Sequence, residues 1–296
     1  MLTARKKKRN LKLQSFFIIA LYACCLYRIF TAPITTNNET QNVILSFLNT
    51  TLFQRLISYL LLIINALTIR WIMRRQGLIE LKNYYPILFY LLLSVIFSAV
   101  LNPLALFAGL VFIFGIFRNL FGLEEANIKR KVFRYGFWVG VLTLMHFPFL
   151  LLLFFIYSAC IIYRRFSFRI FLLPIVGVLL PFLYWYSALY IIGSDFSFQE
   201  NILQMKESLL SFQFFNIIET PFILIITILL LLTGLWLIQT LLVTIGKTSV
   251  LRRKKYYILL VLFLFSIAFA FLYAPFYLEI VLVVYAIVIS LDSSIG

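Results

Sequence analysis

The sequence predicts an all-α, polytopic integral membrane protein with about ten transmembrane helices, short proline-turn hairpins among them, and both termini in the cytoplasm. Three observations predict it. Hydrophobic residues make up 64% of the chain and charged residues 12%, and the mean hydropathy is +1.04, beyond the range of an ordinary soluble domain. The charges are gathered into short runs between apolar segments. Residues 135–163 carry no charge fixed at neutral pH, yet basic residues stand on both flanks: Arg130, Lys131 and Arg134 before, Arg164, Arg165 and Arg169 after.

That stretch sets the topology. As a single helix it would be about 43 Å long, well beyond the ~30 Å hydrocarbon core. Positive flanks stay in the cytoplasm, so the expectation is two short helices folding back at residues 146–148, His146-Phe147-Pro148. All but three of the 26 Lys and Arg then fall on five cytoplasmic segments, the exceptions being Arg28, Arg55 and Lys206. A single crossing would move the last two basic clusters outside. The net charge of +16, which would point to nucleic acid in a soluble protein, is accounted for by this topology, and no nucleic-acid partner is expected.

Taken in order, residues 1–13 form a basic cytoplasmic tail, and the first span covers 14–30. Residues 31–51 make a polar external loop without Lys or Arg. The second span, 52–71, returns to a basic loop. Residues 84–101 lead out, Asn102-Pro103 turns the chain, and 104–121 comes back; Pro suits such a turn because it cannot continue the preceding hydrogen-bond ladder. After the central hairpin, 168–192 leads outward with Pro174 and Pro181 expected to bend it. A second external loop, 193–219, is acidic, and within it Ile202, Met205, Leu209 and Phe212 recur at the spacing of an interfacial helix. Residues 221–245 return to the basic run 247–255, and a last hairpin turns at Ala274-Pro275. No stretch is long and polar enough for a separate globular domain, so residues 1–296 read as one transmembrane domain.

Chemistry-bearing motifs are few. No phosphate-binding glycine loop, HExxH, Cys/His metal spacing or Ser-His-Asp arrangement occurs, and neither a metal nor a cofactor is expected. Cys24, Cys25 and Cys160 lie in apolar segments, which does not suit a disulfide framework. Tyr22 is a poor fit to a lipoprotein processing site at Cys24, and the first segment reads as a retained anchor. The topology does gather polar residues toward the outer side: Arg28 and Arg55 near the outer ends of the first two spans, His146 and Asn102 at hairpin tips, and Glu279 one turn inside the last span. Each half of the central hairpin has only ~20 Å of helix, so its tip is expected to stop short of the outer surface. A polar tip at that depth must face protein or water. The set suggests an outward-facing pocket with two permanent cations suited to phosphate. Three members also have a structural alternative: snorkelling for Arg28, an ordinary interfacial position for Arg55 and a helix-end hydrogen bond for His146; Glu279, a carboxylate inside a span, needs a partner.

The run Gly136-Phe137-Trp138-Val139-Gly140-Val141-Leu142-Thr143-Leu144-Met145-His146 resembles the G-x-x-x-G-x-x-x-L-x-K run in the transmembrane core of GT-C glycosyltransferases. A second apolar helix, a basic turn at Arg164-Arg165 and a proline-containing span follow in the same order, and the likeness covers residues 84–192. The whole chain also resembles a bacterial multi-pass inner-membrane family with a domain of unknown function. The first resemblance implies transfer of a sugar from a polyprenyl-phosphate carrier at the extracytoplasmic face, with His146, Arg28 and Arg55 as the lipid-phosphate-binding set and an acidic residue of the first external loop as base or metal ligand. That loop holds Glu39 but no Asp and no acidic pair, a departure from the superfamily. Two other readings stand beside this one: a non-catalytic subunit scaffolding a cell-envelope complex through a protein partner in the membrane, and a small transporter or lipid flippase using Glu279 for proton coupling.

Overall fold

The computed structural model describes residues 2–31, 51–79, 83–96, 103–121, 123, 127–165, 167–192, 221–247, 250–272 and 278–292. Among them the chain is all helix and turn, without a strand. The helices are α1 (Leu2–Thr31), α2 (Thr51–Arg75), α3 (Tyr85–Ile96), α4 (Pro103–Leu120), α5 (Ile128–Met145), α6 (Leu153–Ile162), α7 (Phe168–Ile192), α8 (Pro221–Lys247), α9 (Val250–Leu272) and α10 (Leu278–Asp292). Residues 32–50, Glu39 among them, residues 193–220, Asn102 and the Ala274-Pro275 turn lie outside the described residues. The basic N-terminal run is helical and continuous with the first apolar segment.

Among the described residues, three helical stretches are long and apolar enough to cross a membrane: Leu52–Arg75, Pro103–Leu120 and Phe168–Ala188. Shorter apolar helices cover Gln14–Tyr27, Tyr85–Val95, Phe147–Ile162 and Leu232–Val243. On α7, Leu172, Val176, Leu179 and Leu183 recur at helical spacing and are 42%, 50%, 60% and 59% exposed. An apolar stripe left open like this suits lipid rather than water as its solvent.

By its internal contacts the chain divides into two compact units, residues 1–110 with 275–296, and residues 111–274. In the first, α3 is the central helix, packed by α1, α2 and α10. Helices α2 and α3 are antiparallel, since Asn65 meets Tyr90 while Arg70 meets Asn83 and Tyr84. Asn65 is fully buried; its amide donates to the Leu106 carbonyl of α4 at 2.9 Å and to the Tyr90 hydroxyl at 3.4 Å. A side-chain amide buried among apolar helices finds its acceptors on neighbouring helices, because lipid offers none. Beyond the end of α2, Gly77 adopts φ +67°, and the amides of Gly77 and Leu78 reach back to the carbonyls of Arg74 and Met73. This is a left-handed helix cap, in which glycine is strain-free.

The second unit is built around α5. Gly136 sits directly against the backbone of Pro174 on α7, and a Cβ on Gly140 would stand 2.7 Å from the Val178 carbonyl oxygen. Gly177 in turn admits the backbone of Phe133. Glycines four apart let two helix backbones approach where any side chain would wedge them apart. The pairings ascend together along both helices, so α5 and α7 run parallel. A different face of α5 packs on α4, where the Trp138 side chain lies against Gly115. There α4 loosens into a π-helical stretch, Phe112–Phe117, and the Asn119 amide donates to the Gly115 carbonyl. Both Pro174 and Pro181 are accommodated inside a continuous α7.

Parallel neighbours require the chain between them to travel back, and it does. Helix α5 ends at Met145; His146 is extended, with φ −156° and ψ 117°; and Phe147–Leu152 forms a 3₁₀ stretch leading into α6. Pro148 has no N–H to donate to Leu144, which ends the α-helical ladder. The Tyr135 hydroxyl, buried on α5, donates to the Leu152 carbonyl at 2.6 Å. In one continuous helix these residues would be about 25 Å apart; the bond exists because the chain doubles back. Tyr157 then stacks on Phe171 with ring centroids 4.7 Å apart, closing α6 onto α7. The expected break at residues 146–148 is therefore present, with a 3₁₀ stretch where a second regular helix was expected to begin.

Candidate functional site

Of the six residues singled out from sequence, the structure describes the side chains of Arg55 and His146. Arg28 and Glu279 are helical, on the last turn of α1 and the first turn of α10; Glu39 and Asn102 lie outside the described residues. Arg55 is half-buried on the first turns of α2, at the opposite end of that helix from Arg70, Arg74 and Arg75. It belongs to the first unit and His146 to the second.

His146 occupies the hairpin tip. Its amide donates to the Leu142 carbonyl at 3.0 Å and its carbonyl accepts from the Phe149 amide at 3.1 Å, so the backbone at the tip is hydrogen-bonded on both sides. The half-buried imidazole lies edge-on to the Phe149 ring, centroids 6.2 Å apart. Its height follows from the glycine seam. Gly136 faces Pro174 and Gly177, and Gly140 faces Val178 and Pro181, which sets His146 level with Trp185 and Tyr186. Helix α7 continues to Ile192, about 10 Å further at 1.5 Å per residue. By this register the hairpin tip stops short of the end of α7, whose Tyr184 and Trp185 are 63% and 48% exposed.

The opposite end of the second unit is basic. Residues 129–134 open α5, and Arg164, Arg165 and Arg169 lie at the α6–α7 turn, which the parallel packing brings to the same end. Lys254, at the start of α9, lies over the Tyr163 ring, 5.7 Å from its centroid, while Phe265 further along α9 meets Phe155 at 4.6 Å. Helix α9 is therefore antiparallel to α6 and begins among the same cations. Among the described residues of this unit there is no acidic side chain.

Several contributors were not singled out from sequence. Asn65 was visible as a lone amide in the apolar run 60–69, but its acceptors come from two other helices. Tyr135 and Trp138 looked like ordinary aromatic residues of a span. Among the described residues no three His, Cys, Asp or Glu side chains gather as a metal site. Comparison with protein-family models, curated proteins and solved structures finds no match for the chain.

Proposed function

We infer that the chain is a multi-pass protein of the bacterial inner membrane, with about ten spans and both termini cytoplasmic, that handles a polyprenyl-phosphate-linked sugar or a related lipid at the extracytoplasmic face. The observation that carries this reading is the recessed tip at His146, at the end of its unit remote from the basic runs. A donor nitrogen held below the helix ends meets a lipid phosphate at headgroup depth, and a recess excludes bulk water from it. In this scheme lipid-phosphate binding falls to His146, Arg28 and Arg55 and the acid/base role to Glu39, with Asn102 and Glu279 as further polar groups. Comparing the lipid-linked glycans of cells carrying His146→Ala or Glu39→Gln with wild type tests it. Accumulation of the undischarged carrier-linked sugar is expected; unchanged glycans in both variants would end the catalytic reading.

A second reading has its own support. The glycines of the GT-C-like run serve the α5–α7 seam, and that role needs no chemistry. A non-catalytic subunit scaffolding a cell-envelope complex would keep such a seam. It predicts a stable partner in mild detergent and full function with His146→Ala.

A further inference from the structure

We propose that the basic end of the second unit holds a site for the headgroup of an anionic phospholipid, centred on Arg164 and Arg165, which follow Tyr163 in the chain, and on Lys254, which lies over the Tyr163 ring. Chain order separates these residues by about ninety positions; the antiparallel packing of α9 on α6 brings them together. Positive charge in a cytoplasmic loop is commonplace and by itself marks only topology. Here the backbone adds something more specific. Arg164 takes φ +54°, and the amides of Arg164 and Arg165 reach back to the carbonyls of Ile161 and Cys160, each at 2.9 Å. This is the cap geometry seen at Gly77, with arginine in the position that favours glycine. The cap fixes the backbone of two adjacent, exposed arginines, so only their side chains remain to be ordered when they close on an anion. Lys254 is fixed in a second way, laid across Tyr163.

The occupant is a lipid rather than a soluble phosphate because the cations have apolar neighbours. Ile161 and Phe168, on either side of the turn, are 63% and 76% exposed, and Tyr257, one turn along α9 from Lys254, is 45% exposed. A diacyl phospholipid is the ligand that presents a phosphodiester to the arginines and acyl chain to these side chains together. Neither the sugar-carrier reading nor its site at the other end is required.

The test uses the full chain in detergent, with native mass spectrometry of retained phosphatidylglycerol against phosphatidylcholine. Wild type is expected to retain the anionic lipid preferentially. Arg164→Gly preserves or improves the cap while deleting the cation, and Lys254→Gln keeps most of the stem over Tyr163; each is expected to lower the preference about fivefold. Arg74→Gln, which removes one cation from the end of α2, is expected to leave it unchanged. The proposal is overturned if Arg164→Gly and Lys254→Gln retain the wild-type preference, if Arg74→Gln lowers it equally, or if inorganic phosphate displaces the lipid.

Discussion

Two helix caps of the same geometry carry different residues. Gly77 reaches positive φ without cost, whereas Arg164 at φ +54° carries a Cβ into the left-handed region, at roughly 1 kcal/mol. Arg164→Gly is accordingly expected to raise stability by about 0.5–1 kcal/mol, seen as a higher thermal midpoint of the purified protein in detergent. A lower midpoint would mean that the arginine side chain stabilises its surroundings by more than its backbone costs. Asn65 presents the opposite case, a polar group whose value lies in its partners. Asn65→Ala removes the 2.9 Å bond to the Leu106 carbonyl and leaves a small void, for an expected loss of about 1–2 kcal/mol. Tyr90→Phe deletes the partner in the longer, 3.4 Å bond and should cost less than Asn65→Ala in the same thermal scan. The amide itself was legible in the sequence as a break in an apolar run. Its acceptors were not, because they lie 25 and 41 residues away on helices whose packing no local pattern encodes.

For the helices, the seam between α5 and α7 leaves no room for a side chain at Gly136 or Gly140. A Cβ at Gly140 meets backbone rather than a movable side-chain end, so the helices themselves must part. Gly140→Val is expected to cost about 3 kcal/mol and to lower the yield of folded protein on size exclusion in detergent. Gly246, near the end of α8, has no atom within 4 Å of an added Cβ. Gly246→Ala is expected to be neutral or stabilising by up to about 1 kcal/mol, and similar losses at both positions would refute the seam. The spacing of Gly136 and Gly140 announced a close approach; the identity of the approaching helix, and the parallel sense of the pair, did not follow from it. A glycine pattern states how near a neighbour can come and nothing of which neighbour arrives. The break after Met145 was legible for a more local reason, since Pro148 acts on its own backbone and on Leu144 alone.

For the whole molecule, cysteine labelling in intact cells, on a background lacking Cys24, Cys25 and Cys160, is expected to place reporters at Lys131, Arg165 and Lys255 in the cytoplasm. A reporter at His146 is expected to react, if at all, from outside. Labelling of Lys131 and Arg165 from opposite sides would contradict the parallel pairing of α5 and α7. Composition and the rhythm of apolar and basic runs by themselves determined an all-helical chain suited to lipid and the break at His146. Charge placement and backbone chemistry act along the chain, so they can be read from it. Only the tertiary structure decided that Tyr135 latches onto Leu152, that the glycines serve a seam with α7, and that Lys254 reaches Tyr163. Those pairings are set by which surfaces fit at close range among many similarly apolar helices, and apolar spacing alone does not distinguish them.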